Sequence, residues 1–365
     1  FRALSRHADV AAAFRDSETY SNSHGVSLDP AASGPHAHRT MSFLAMDPPK
    51  HTRMRALVSK GFTPRRVAMM EDNIREISRR HLDEALGSDP RPGTEVSFDM
   101  VDEFAGRLPM DVISDLMGVP AQDRAELRRL ADLLVHRDEG VEDVPPSGVE
   151  AAMELVGYYT DMIDQRHRKR TDDLTSALLD AEIDGDRLTD EEVMGFLFLM
   201  VVAGNETTTK LLANAWHWAA RNPDERAKVL AEPERIAEWV EETLRYDTSS
   251  QMLARVTTRE VELHGEVIPE GGRVLLLVGS ANRDESVFDE PDRYLVDRDT
   301  SDLLSFGTGR HFCLGASLAR LEARVCLEEL LARVATWEVD EAGSERVHSV
   351  NVRGFAHLPT TVVTR

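Results

Sequence analysis

Two cysteines occur in the 365 residues, Cys313 and Cys326, and their surroundings differ. Cys313 lies in the run Phe306-Gly307-Thr308-Gly309-Arg310-His311-Phe312-Cys313-Leu314-Gly315. Glycines just before a cysteine permit a tight backbone bend. The residues that follow, ASLARLEARVCLEELLARV, read as a helix that the cysteine opens. A sulfur at a helix N-terminus faces unpaired N–H groups and the positive end of the helix dipole, so its pKa is expected to fall. Gly315 removes a side chain where a flat group must approach closely, and Phe306 adds an aromatic lid. One thiolate beside a flat face suits single-sulfur ligation of haem iron. A buried structural cysteine is the commoner use of the residue type, but the ten-residue pattern outweighs it. Zinc is disfavoured, since Cys313 has only His311 at metal-ligand spacing. Cys326, mid-helix between Val325 and Leu327, reads as a core thiol.

Three further groupings carry polar chemistry. Ala203-Gly204-Asn205-Glu206-Thr207-Thr208 puts a carboxylate and a hydroxyl into an otherwise apolar helix, which is costly unless they are used. The plainer alternative is a back-bonded hydroxyl and a satisfied acid. Glu242 and Arg245 are spaced to pair on one helix face, although such pairs are most often solvated surface charges. In Asp47-Pro48-Pro49-Lys50-His51-Thr52-Arg53-Met54-Arg55 the prolines pre-set a helix start. His51 and Arg55 then share a face. Paired donors of this kind suit carboxylates, and two exposed basic residues are the bland alternative.

These residues need a scaffold, and its main member is a helix over 189–221. Thr189 with Glu192 forms a capping box, and Asn222-Pro223 ends the run. The first half, VMGFLFLMVVAG, is apolar on all faces and is expected in the core. Residues 1–22 read as a strand and a short helix, and 23–46 as a long loop. Residues 48–138 read as helical, broken at Asp89-Pro90 and Gly118-Val119-Pro120. A second loop spans 138–148, and helix resumes to about Glu182. Another helix covers 233–246. Residues 256–279 alternate with period two around turns at His264-Gly265 and Glu270-Gly271-Gly272, which predicts a small antiparallel sheet. Residues 281–312 lack a period, a helix follows Cys313 to about Val334, and the chain ends in strand. The expected fold is mostly helical with a minor β part.

The motifs, in this order and from Phe1 to Arg365, resemble the cytochrome P450 family, specifically its soluble bacterial members. The cysteine loop matches F-G-x-G-x-H-x-C-x-G without a departure. The resemblance implies one domain over 1–365, mainly α with minor antiparallel β. A haem b would sit between the long central helix and the Cys-loop helix, with the Cys313 thiolate as iron ligand. It implies cofactor contacts from His51, Arg55, Ala203, Gly204, Arg255, Phe306, Gly307, His311 and Gly315. Of these, His51, Arg55, Arg255 and His311 would hold the haem propionates. Glu206 and Thr207 would relay protons during O2 activation, the acid being Glu where many members have Asp. Glu242 and Arg245 would form a buried structural lock, completed by Arg298 rather than Arg293.

The implied activity is a monooxygenase that uses O2 and two externally supplied electrons, most simply to hydroxylate a largely apolar terpenoid, steroid, fatty acid or polyketide. Substrate contacts are expected from the loops at 23–46 and 134–152, from Val202 and Ala203, from the Ser249–Leu253 stretch with Ser250, Met252 and Leu253, and from Gly354-Phe355. A peroxide-driven peroxygenase and a non-catalytic haem sensor or carrier are the rivals, and neither has the same need of the Glu206-Thr207 pair. With no flavin or iron–sulfur motif of its own, the chain is expected to take electrons from a ferredoxin and its reductase. Lys60, Arg65, Arg66 and Arg310 would form the dock.

Composition bounds these readings. The chain carries a formal charge of -22 and is 41% hydrophobic and 30% charged. Such acidity disfavours nucleic acid and anionic lipid as partners. The longest apolar run, Val193 to Ala203, is about half of the ~20 residues a membrane span needs. Two cysteines fit a reducing cytoplasm rather than a disulfide-built secreted fold. The chain is expected to be a monomer. It starts at Phe1 inside what reads as ordered structure, so residues before it are expected.

Overall fold

The computed structural model describes residues 1–28, 33–135, 144–349 and 351–365. In chain order, strand β1 (Arg2–Leu4), helix α1 (His7–Arg15) and strand β2 (Tyr20–Ser21) open the fold. Short helix α2 (His38–Met41) and a 3-10 turn at Ser42–Ala45 follow, so the stretch read as one long loop is partly helical. Helices α3 (Lys50–Ser59), α4 (Pro64–Ala68) and α5 (Glu71–Leu86) lead to strand β3 (Glu95–Asp99) and a π-helical turn at Met100–Ala105. Then come α6 (Leu108–Met117), α7 (Arg124–Val135), α8 (Pro146–Arg168) and α9 (Leu174–Asp180). The β4 (Glu182–Ile183) and β5 (Asp186–Arg187) hairpin precedes α10 (Asp190–Arg221), α11 (Pro223–Ala231) and α12 (Ile236–Tyr246).

Strands β6 (Leu253–Thr257), β7 (Val261–Leu263), β8 (Glu266–Ile268) and β9 (Arg273–Leu276) are followed by the short helix α13 (Val278–Ala281). The chain closes with α14 (Ala316–Arg333), β10 (Val334–Val339), β11 (Glu345–Arg346), β12 (Phe355–His357) and β13 (Pro359–Thr364). The result is mainly helical with small sheets.

Helix α10 begins where its capping box places it. The Thr189 hydroxyl accepts from Glu192 N–H while the Glu192 carboxylate accepts from Thr189 N–H. Its first half is buried from Val193 through Val201, apart from the partly exposed Met194, and the helix as a whole packs against α6, α8, α12 and α14. Among the described residues no helix is long and apolar enough to cross a membrane.

Further expectations need correction. The stretch 48–138 contains strand β3, whose partner is β13 at the far end of the chain, with Phe98 opposite Thr360. That pairing is non-local, so no local period announces it. Asn222-Pro223 ends α10 as expected, but Pro223 also stands at the first position of α11, where its missing N–H costs nothing. The period-two sheet is mixed, because β1 pairs with β9 in parallel while β6 pairs with β9 antiparallel. Gly279 lies in α13 rather than in a strand. Of the expected loop at 138–148, residues 138–143 lie outside the described residues, and α8 begins at Pro146. The same holds for 136–143 of the 134–152 substrate region.

Candidate functional site

The cysteine loop is shaped by two left-handed glycines, Gly307 at φ 66° and Gly309 at φ 75°. That region is open to glycine and strained for other residues. The tight bend brings the Cys313 N–H to the Phe306 carbonyl at 2.9 Å. Helix α14 starts at Ala316, so Cys313 stands just before the helix rather than in it. The peptide N–H groups of Gly315 and Ala316 still point to its sulfur.

Cys313 is reachable from an internal cavity yet surrounded by protein, and this burial pushes its thiol up, against the pull of those N–H groups, Arg55 and Arg320. The expected depressed pKa is therefore not what the free thiol has. A metal cation in place of the proton reverses this balance, since a coordinating thiol is deprotonated outright.

The cavity has a volume of about 1430 Å³, counting its open mouth. Helix α10 forms one wall with Phe196, Leu199, Met200, Ala203, Gly204, Thr207, Thr208 and Leu211, and α14 faces it with Leu318, Ala319 and Glu322. A Cβ added at Gly315 would meet nothing within 4 Å, so the glycine opens onto free space beside the sulfur. Phe306 lines the cavity with Arg320 4.4 Å over its ring. Gly204 has a different reason to be small: a Cβ there would lie 2.5 Å from Ile113 on α6.

At one end, buried donors converge without acceptors. His51 and His311 lie against each other with ring centroids 3.9 Å apart and planes tilted by 40°. Both ring nitrogens of each, and Nη1 of Arg55, are buried with no hydrogen-bond partner among the described residues. Burial, then Arg55, holds His51 down to about 4. Burial, then His51 and Arg255, holds His311 down to about 2. Arg255 is buried beside Phe14, bonds only the Ala254 carbonyl among the described residues, and is lowered by burial to about 10. The nearby carboxylate of Asp47 is already taken by Ser21 Oγ and Asn22 N–H. Unpaired buried charge is costly. Two carboxylates on a flat, apolar group would satisfy these donors. With the open face at Gly315 and the single sulfur, the residues fit a haem.

The remaining site residues fall as follows. Thr207 lines the cavity, its hydroxyl bonded back to the Ala203 carbonyl at 3.0 Å. Glu206 does not line it and pairs with Lys210 at 3.0 Å. Ser250 and Leu253 line the cavity, whereas Val202, Met252 and Phe355 do not. Phe355 is a core residue between His217 and Arg346. Phe43, Phe62, Phe196, Ile113 and Leu244 are wall residues that sequence reasoning missed; their apolar spacing looks like any core. Glu322 was missed too, although an acid on the same face as Leu318 and Cys326 was a visible signal.

Away from the cavity, Glu242 and Arg245 are fully buried in a bidentate pair at 2.7 Å. Arg245 also donates to the carbonyls of Asn282, Pro291 and Arg293. Arg298 reaches Glu242 at 3.4 Å, while the Arg293 side chain turns out to Glu290.

Comparison with known proteins agrees with this geometry. The sequence model of the cytochrome P450 family matches residues 147–349. "Putative cytochrome P450 123" of Mycobacterium tuberculosis is 58% identical over 366 residues, covering 100% of this chain and 89% of the relative. "Vitamin D(3) 25-hydroxylase" of Pseudonocardia autotrophica is 38% identical, covering 99% and 88%. Among solved structures, "Cytochrome P450 CYP109Q5 from Chondromyces apiculatus" superposes with TM-score 0.88 at 36% identity, covering 100% and 90%.

Proposed function

The chain belongs to the cytochrome P450 family of monooxygenases, and on that premise we propose that it acts as a single catalytic domain holding haem b through Cys313 and hydroxylating a largely apolar small molecule. The observation that carries this reading is the cavity itself: the Cys313 sulfur at one wall and, at one end, the buried His51, Arg55 and His311 nitrogens with no hydrogen-bond partner among the described residues, beside buried Arg255. When bound, the haem supplies O2 activation, with thiolate donation favouring O–O cleavage.

The chain's own residues do the rest. Gly315 and Ala316 N–H groups steady the anionic sulfur, and His51, Arg55, Arg255 and His311 anchor the propionates. Phe196, Leu199, Met200 and Leu211 exclude water and seat an apolar substrate, with Ser250 and Leu253 in the same lining. Thr207 stands at the cavity wall to hand on protons, and Glu206 supplies them. This acid–hydroxyl pair favours reductive O2 chemistry over a peroxygenase or a haem sensor. The substrate class is that of steroids, secosteroids, terpenoids or fatty chains, in keeping with a relative named for vitamin D3 hydroxylation.

Electrons come from a ferredoxin and its reductase. Arg65, Arg66 and Arg310 have no ion-pair partner among the described residues and offer the dock, with exposed Met69 and Phe312 beside them. Lys60 contributes less, because its ammonium is tied to the Glu182 carbonyl.

The test is a screen of apolar compounds, vitamin D3 first, for a shift of the ferric Soret band, followed by turnover with ferredoxin and reductase. Product formed with reduced ferredoxin supports the reading. Product formed equally fast from peroxide alone would replace it with the peroxygenase.

A further inference from the structure

Thr248, Ser249 and Ser250, on the stretch between α12 and β6, line the cavity. Ser249 is 5% exposed, and its Oγ is buried with no hydrogen-bond partner among the described residues. A buried hydroxyl left unpaired is destabilising. The backbone around it is pinned, so it has little freedom to find a partner by moving. The Ser249 carbonyl accepts from the Arg353 N–H at 2.8 Å, and the Gln251 N–H donates to the Asn351 carbonyl at 2.8 Å. Between them, Ser250 is bridged antiparallel to Val352. Just before this strip, buried Asp247 accepts from Trp218 Nε1 at 2.8 Å and from Arg353 Nε at 2.7 Å. The Asp247 carbonyl accepts from Asn214 Nδ2 at 2.9 Å. Asn214 lies about one turn of α10 beyond Leu211, so the strip is held at the Leu211 end of the α10 wall.

The other buried polar atoms of the lining that lack a partner have a use elsewhere. Those of Arg55 and His311 converge where the propionates fit. Asn22 is engaged through its N–H with Asp47 and through its amide nitrogen with the Leu44 carbonyl. Glu322 is a carboxyl whose uncharged form burial favours. Ser249 shares the lining with apolar Leu211, Leu244 and Leu253 and has no such use. A serine hydroxyl both donates and accepts, so an alcohol or a ketone satisfies it equally.

We propose that Ser249 is a specificity-determining residue whose hydroxyl pairs with an oxygen of the substrate, so that the enzyme selects an oxygen-bearing hydrophobe, an alcohol or a ketone, over the bare hydrocarbon of the same shape. This rests on the reading of the cavity as the seat of an apolar small molecule. A site built to hydrogen-bond its ligand rejects the analogue that lacks the group, because its own polar atom is then left unpaired. Held at one oxygen by a fixed strip, the ligand also keeps one orientation in the cavity.

The test titrates the Soret band of the haem-loaded enzyme with androstane, androstanol and androstanone, and with dodecane and dodecanol. Hydrocarbons partition more strongly from water, so the quantity read is the ratio of the hydrocarbon Kd to the alcohol Kd, compared between variants. Ser249→Ala should lower that ratio about tenfold, and Ser249→Thr, which keeps the hydroxyl, should hold it near the parent value. Independently of any variant's stability, the carbonyl stretch of androstanone bound to the parent chain should lie below its position in hexane. In Ser249→Ala it should return toward the hexane position.

An unchanged ratio in Ser249→Ala, or equal weakening of all the ligands, would overturn the anchor while leaving the apolar cavity in place. A carbonyl stretch in the parent complex that matched hexane would overturn it as well. If none of the five compounds shifted the Soret band, the reading of the cavity as an apolar substrate site would fail and the anchor with it.

Discussion

At single residues, the sequence discloses type and spacing but not surroundings. The Cys313 loop was legible because ten positions agree. The thiol's pKa was not, because burial acts through residues distant in the chain, such as Arg55. In haem-free protein, alkylation of Cys313 should therefore be slow at neutral pH and accelerate only above the ordinary thiol range, as followed by mass spectrometry. Rapid alkylation at neutral pH would mean that the local N–H groups prevail. Glu322 shows the same effect for an acid. It is 1% exposed, has no ion-pair partner among the described residues, and burial raises its carboxyl well above the usual range. Its folded-state pKa lies above the unfolded one, so the folded chain is favoured at low pH and loses stability as pH rises from about 4. Glu322→Gln should raise Tm at neutral pH and flatten that loss. A fall in Tm at neutral pH would show that the charged form has a partner.

Helices and strands were legible wherever their ends are local. Thr189, Glu192 and Asn222-Pro223 bound α10 closely, because a capping box and a proline act over a few residues. Thr189→Ala should cost about 1 kcal/mol in chemical denaturation. Strand β3 was hidden, because its hydrogen-bonded partner β13 lies at the other end of the sequence. The same limit hid Asp111. On α6 it joins His81 of α5, Arg80 of α5 and Arg128 of α7 at 2.8 to 3.0 Å. Burial raises its carboxyl, but His81 and Arg128 outweigh that and hold it down to about 2. Its stabilisation is present above the ordinary carboxylate range and lost as pH falls through about 2. Asp111→Asn should therefore destabilise at neutral pH by about 3 kcal/mol, leaving cations unpaired, and by much less near pH 2. Equal losses at both pH values would contradict the pairing.

Across the whole molecule, the chain is acidic at -22, yet Arg65, Arg66 and Arg310 have no carboxylate partner among the described residues. A double Arg65→Glu, Arg66→Glu variant should raise the KM for an acidic ferredoxin and steepen its fall in rate with added salt, while leaving kcat close to that of the parent. Unchanged ferredoxin kinetics would move the dock elsewhere. Every part of the account depends on the sulfur at Cys313. Its most direct test is the absorption spectrum of the reduced carbon monoxide adduct. The parent chain should give the red-shifted Soret band that thiolate ligation produces, and Cys313→Ala should lose it even where some haem is retained. A Cys313→Ala chain that kept the red-shifted band would contradict the assignment.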